Sequence, residues 1–139
     1  MASFNKFNSF VEALAEKVHN LQSDVLKVML SNTAPTATNA LKTDITEIAA
    51  GNGYTAGGTQ ATQASSAQTA GTYKLVLNDA TFTAAGGSLP AFRYAVLYND
   101  TATNKELVGW WDYGSVVTIT NGNSFTVDFD ATNGVLTIA

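Results

Sequence analysis

The side chains able to do chemistry are few and scattered. His19 is the only histidine, the chain has no cysteine, and no carboxylate pair stands near His19 in sequence. Ser-His-Asp chemistry needs those three brought together around an exposed serine, and no serine here lies in a nucleophile-elbow setting. Asp128 and Asp130 of "SFTVDFD" share a strand face, with carboxylates roughly 7 Å apart by strand rise. Such a pair can serve a glycosidase or help to hold calcium, but on the polar face of an alternating strand it reads first as solvating charge. "GNGYTAGG" (51–58) is glycine-rich, yet it lacks the GxGxxG spacing, the P-loop lysine and the following helix of a phosphate cradle. Its glycines are read as turn formers. Zero cysteines exclude disulfides, zinc–thiolate sites and iron–sulfur clusters. The expectation is a protein that is not an enzyme, with no catalytic residue, no cofactor and no metal.

The most distinctive residues are aromatic. "LVGWWDYGS" (107–115) sets both tryptophans side by side, and neighbours in a strand point to opposite faces. Trp111 is assigned to the core, because Leu107 and Tyr113 share its face. Val108 and Trp110 lie on the other face, in a short apolar row that ends at Asp112. Trp110 is expected to pack between subunits or against a larger assembly, where Trp is enriched among hot spots. The alternative is that a helix over 10–20 covers it within the chain. The remaining expected interface residues are Val108, Tyr54 from the uncharged loop described below, and Phe4 and Phe7 from an N-terminal arm. Trp110, Trp111 and Tyr113 could also stack on sugar rings, which keeps a carbohydrate-binding role open.

These residues need a frame. Phe4, Phe7, Val11, Leu14, Val18 and Leu21 recur at alternating spacings of three and four, a helical stripe. Ser9 and Glu12 fit a capping box, so residues 1–22 read as a leading arm plus helix, its stripe packed on a sheet in preference to a coiled-coil seam. From Asp24 onward the chain reads as strands. "DVLKVMLS" alternates Leu26, Val28 and Leu30 against Val25, Lys27 and Met29, and "TDITEIA" (43–49) is a short strand candidate. Residues 50–71 carry no charge and one aromatic, Tyr54. They read as a long adaptable loop, part of it near 59–65 pairing as an edge strand. "TYKLVLND", "AFRYAVLYN", "KELVGWWDY", "VVTIT", "SFTVDFD" and "GVLTIA" read as strands. Gly114-Ser115, Asn121-Gly122 and Asn133-Gly134 supply hairpin turns, so 107–139 is expected to form a four-strand antiparallel meander. The fold class is mainly β: a single domain over 1–139, an antiparallel β-sandwich or jelly roll-like fold with one N-terminal α-helix.

Composition narrows the partners. Charged residues are 13% of 139 and the net charge is −4. Phosphate contacts need a basic field, so nucleic acid is not an expected partner. No apolar run approaches the roughly 18–20 residues of a membrane span, and "MASFNKFNSF" lacks the apolar centre of a signal peptide. No membrane partner and a cytoplasmic origin are expected. A neutral surface rich in Thr, Ala, Asn and Gly suits faces that meet other protein.

"LKVMLSNTAP", "DITEIAAGNGYTAGG", "RYAVLYND", "LVGWWDYGS" and "FTVDFDATNGVLTIA" together resemble small virion structural proteins of tailed bacteriophages, over nearly the whole chain. In size and β-rich character the chain also resembles the cement, or decoration, proteins that bind capsids. The resemblance implies a protein made in the host cytoplasm and carried on the capsid surface of the virion. Its partners would be the major capsid protein and itself, as a homo-oligomer (dimer or trimer). It would stabilise the shell through many repeated weak contacts. The competing expectation is a tail, baseplate or fibre component with a carbohydrate-binding role.

Overall fold

A computed structural model describes residues 2–139. The elements are β1 Phe4–Lys6, α1 Ser9–Ala15, β2 Leu26–Ser31, β3 Thr59–Gln60, β4 Gln63–Thr69 and β5 Thr72–Leu77, then β6 Ala80–Thr83, β7 Phe92–Asn99, β8 Leu107–Val117, β9 Ser124–Val127 and β10 Leu136–Ile138. All pairings between them are antiparallel. The main sheet has the order β1-β8-β7-β2-β3; a second sheet has the order β10-β5-β4, and β6 and β9 form a two-stranded ribbon. The fold is mainly β and sandwich-like, as expected.

The core lies between the main sheet and the two smaller ones. Leu26, Val28 and Leu30 of β2 meet Leu75 and Leu77 of β5 there, together with Phe82 of β6. The alternation in "DVLKVMLS" is thus realised, but the opposite row is covered too. Met29, Val96, Tyr98 and Leu107 form a second cluster on the outer face, closed by Phe7 and flanked by Ile45 and Trp110. Both faces of the main sheet are dry at its centre, which explains the near-continuous apolar run of β7.

The N-terminal helix is shorter than its stripe suggests. It spans seven residues. Lys17 takes a left-handed conformation, φ 68°. The Val18 N–H then donates to the Ala13 carbonyl and the Lys17 N–H to the Leu14 carbonyl. That pair of bonds is the Schellman stop. The N-cap is Asn8, with no side-chain cap hydrogen bond, so the Ser9–Glu12 capping box does not form. Val11, expected on the packed stripe, is 54% exposed; Phe10 takes the buried position.

Four further expectations are corrected. Residues 43–49 are not a strand: a single 3-10 turn spans Lys42–Asp44. Asp44 Oδ2 accepts the Ala40 and Leu41 N–H groups there, and only a lone bridge, Ser31 to Glu47, follows. Residues 50–71 are not one long loop: the edge strand expected near 59–65 is present as β3 on β2, and β4 pairs with β5 beyond it. Gly114-Ser115 is no hairpin turn. Strand β8 runs through it in a wide irregularity, with Tyr94 opposite Asp112 and Phe92 opposite Val117. Residues 107–139 are no meander either: β9 pairs with β6 and β10 with β5.

Candidate functional site

The arm before α1 explains the paired tryptophans. Strand β1 lies along β8, with Phe4 opposite Trp111, Asn5 opposite Trp110 and Lys6 opposite Gly109. Phe4 and Phe7 therefore reach the two faces of β8. Phe4 sits 5.2 Å from Trp111 on the core side, and Trp111 meets Phe129 edge-on at 5.3 Å. Gly109 makes this possible: a Cβ there would stand 2.2 Å from the Phe4 ring and 2.7 Å from the Asn5 carbonyl oxygen.

A bulge at Val108 sets which side chain goes where. Leu97 is opposite Gly109 but Tyr98 is opposite Leu107, so Val108 is the extra residue. The bulge resets the alternation. Val108 joins Trp111 in the core, while Leu107 joins Trp110 in the outer cluster. Trp111 is thus core, as assigned, but its partners are Val108 and Tyr113 in place of Leu107.

Of the five expected interface residues, three have no surface to offer a partner. Phe7 and Val108 are fully buried and Tyr54 is 3% exposed. Trp110 and Phe4 are half-buried. The α1 helix does not cover Trp110; Phe7 does, at 4.5 Å between ring centroids.

Tyr54 is buried for a structural reason. Its hydroxyl accepts the Leu30 N–H at 3.1 Å and donates to Glu47 Oε1 at 2.7 Å. The same carboxylate oxygen accepts the Gly57 N–H, and the Tyr98 hydroxyl donates to the Gly57 carbonyl at 2.7 Å. Lys42 completes the network, 3.4 Å from Glu47. Burial pushes the Tyr54 phenol far above its ordinary range. Gly58 brings this turn against β2: at φ +79° a Cβ there would lie 1.8 Å from the Val28 carbonyl oxygen. Residues 51–58 are therefore pinned, and their glycines serve turn and close-approach geometry.

The remaining polar candidates are also held in structural bonds. The Asn99 amide donates to Asp24 Oδ2 at 2.6 Å and faces His19 Nδ1 at 3.0 Å. Its two hydrogens are then both used, so Nδ1 is an acceptor and the imidazole carries its proton on Nε2. His19 is 95% buried. Burial lowers its pKa, against the opposing charges of Glu106 and Asp24. His19 Nε2 and Glu106 Oε2 are buried atoms without a hydrogen-bond partner among the described residues.

Asp130 closes a turn. It accepts the Asn133 and Thr132 N–H groups and the Asn133 side-chain amide, each at 2.8 Å. The Asn133 N–H leads in lowering its pKa. Asp128 lies beyond the end of β9 and is exposed. Among the described residues no group of three or more His, Cys, Asp or Glu is arranged to hold a metal ion, and no helix is long and apolar enough to cross a membrane.

One concavity was not visible in the sequence. Beyond the end of β1, a groove of about 650 Å³ separates β8 from β9, lined by Trp111, Tyr113 and Phe125 with Asp112 and Asp128 at its rim. Tyr113 and Phe125 meet edge-on at 5.1 Å. Burial, with the Asp128 charge adding, pushes the Tyr113 phenol up to about 12. Asp112 is engaged by Arg93 at 2.7 and 3.0 Å and by the Gly114 N–H. These bonds, the Arg93 pair first, hold its carboxyl below the usual range. The signal missing from the sequence was that β9 leaves β8 to pair with β6.

No protein-family model, no curated protein and no solved structure matches the chain.

Proposed function

We propose that this chain is a non-enzymatic virion structural protein of a tailed bacteriophage. The role we assign it is capsid cement or decoration: binding the major capsid protein lattice and stabilising it. The carrying observation is how the polar side chains are used. Glu47, Asp112 and Asp130 are each committed to hydrogen bonds that hold turns or strands in place, and His19 is 95% buried with its Nδ1 held by Asn99. The chain is only 13% charged, with a net charge of −4. A rigid, mainly β module of this kind suits repeated weak contacts on a lattice, where avidity outweighs any single site. The half-buried Trp110 is the side chain we assign as its aromatic anchor.

A second reading has its own observation. The groove between β8 and β9 sets two half-buried rings, Tyr113 and Phe125, beside the exposed carboxylate of Asp128, with the buried Trp111 in its wall, a lining able to stack on a sugar. That favours a tail, baseplate or fibre component.

Quantitative mass spectrometry of purified particles separates the two. Capsid cement predicts copies on the order of hundreds per particle, in proportion to the lattice. A few to a few dozen copies would instead establish the tail reading, and absence from particles would remove both.

A further inference from the structure

Strand β4 has an unguarded edge. It stands at the margin of the β10-β5-β4 sheet, and its seven residues are mostly exposed. Among the described residues its hydrogen-bonded neighbour strand is β5 alone. The two join through Ala70 and Gly71, with φ of 50° and 84°, the two positive values of a type I′ turn. In such a hairpin the closing pair, here Thr69 and Thr72, exchanges both backbone bonds, and paired residues then alternate. Ala67 and Lys74 are the next bonded pair. The N–H and C=O groups of Gln68 and Ser66 therefore point away from β5, toward the open edge.

Free edges are ordinarily blunted by charge, proline or short length. The other sheet margins follow that rule: β1 has three residues and ends in Lys6, β3 has two residues, β10 has three, and β6 and β9 have four each. Strand β4 does not. From Ile48 to Tyr73 the chain has neither a charged residue nor a proline. Its one irregularity, between Gln63 and Ser65, lies at the far end from the turn.

That composition suits a second copy of the same strand. When a strand pairs with its own copy across a twofold axis, a charge at the axis meets its like, and a charge elsewhere is set against the mirrored position of the same strand. Gln63, Ser65, Ser66, Ala67, Gln68 and Thr69 present none. We propose that β4 pairs antiparallel with β4 of a second copy, joining two three-stranded sheets into one and forming the homodimer contact of this protein. The inference rests on the reading of the chain as an assembling structural protein. Its test uses purified protein with no shell present, so failure of self-pairing and failure of shell binding are separate results.

Because the chain has no cysteine, single-cysteine variants report contacts between copies only. Ala64→Cys, Ser65→Cys, Ser66→Cys, Ala67→Cys and Gln68→Cys are oxidised in parallel, with exposed Thr103→Cys as the control. The expected result is a disulfide dimer whose yield peaks at one β4 position and falls to either side, because a twofold axis brings a residue onto its own copy only near the axis. In the second arm, Ser66→Pro removes an outward N–H and the hydroxyl contact to Tyr73 while sparing the backbone bonds to β5. Sedimentation should show dimerisation weakened roughly tenfold or more, with the circular dichroism of the fold retained. Cross-linking no greater than that of Thr103→Cys at every β4 position would overturn the proposal, whether or not Ser66→Pro folds. So would a dimer that a folded Ser66→Pro leaves unchanged.

Discussion

Phe7 and Trp110 face each other across the outer side of the main sheet, ring centroids 4.5 Å apart and planes inclined at 41°. The contact ties the N-terminal arm to the middle of β8, and Phe7 is fully buried by it while Trp110 keeps part of its indole at the surface. Phe7→Ala should cost about 3–5 kcal/mol in denaturant unfolding, and Trp111→Ala a similar amount. Trp110→Ala should cost less, about 1–2 kcal/mol, because the ring is already half in solvent. A double-mutant cycle on Phe7 and Trp110 should return a coupling of about 0.5–1.5 kcal/mol. If Trp110 is the anchor, Trp110→Ala should also weaken shell binding by roughly 2 kcal/mol.

Gly109 is expected to tolerate no side chain. In Gly109→Ala the new methyl meets the Phe4 ring and the Asn5 carbonyl, so β1 must lift from β8. Overpacking of this kind costs about 1–3 kcal/mol. Limited proteolysis should cut residues 2–8 sooner than in the wild type. Adding Phe4→Ala should restore only part of the loss, since the backbone contact remains.

Much of the fold was legible because period-two patterns were strong and locally bounded. Strands β2, β5, β7 and β10 lie where alternation and turn residues place them. Phe4 and Phe7 lie in an arm ahead of the helix, as expected, but the helical stripe that includes them is too wide for a physical reason: they are three apart, as on a helix, yet Phe4 is in a strand and Phe7 beyond its end. The spacing is genuine and the period is not. The faces of Leu107 and Val108 are exchanged relative to the simple alternation, because a bulge adds one residue without any mark in the sequence; Val108 resembles any other strand valine. The destination of β9 is a long-range choice between two partners, β8 and β6, that alternation alone does not encode. The groove follows from that choice and was hidden with it.

Tyr54→Phe should expose the role of the Glu47 network. The variant leaves the Leu30 N–H and Glu47 Oε1 short of a partner, at a cost of about 1–3 kcal/mol. Hydrogen exchange should accelerate at Gly57 and Gly58 before it does in β7.

His19 should make stability fall on mild acidification. Its folded pKa is lowered from 6.5 by burial, against the charges of Asp24 and Glu106, and Lys17 lies beside the same cluster. The unfolded chain then binds more protons below 6.5. Stability is complete above that pH and declines as the pH falls through it toward the folded value, at no more than about 1.4 kcal/mol per pH unit. The lowered carboxyls of Asp44, Asp100, Asp112 and Asp130 add their losses only on falling below their ordinary value of 3.8, so the interval above about pH 5 belongs to His19. Thermal melts of the wild type should fall across that interval, and those of His19→Gln should be flat.

The central claim is that this chain is part of a capsid shell, and a density map of the intact particle tests it most directly. The account predicts density for this β fold at regularly repeated positions on the outer face of the shell, seated against the major capsid protein, with the half-buried Trp110 at the contact. Density for the chain confined to the tail or baseplate, or none anywhere on the particle, would contradict it.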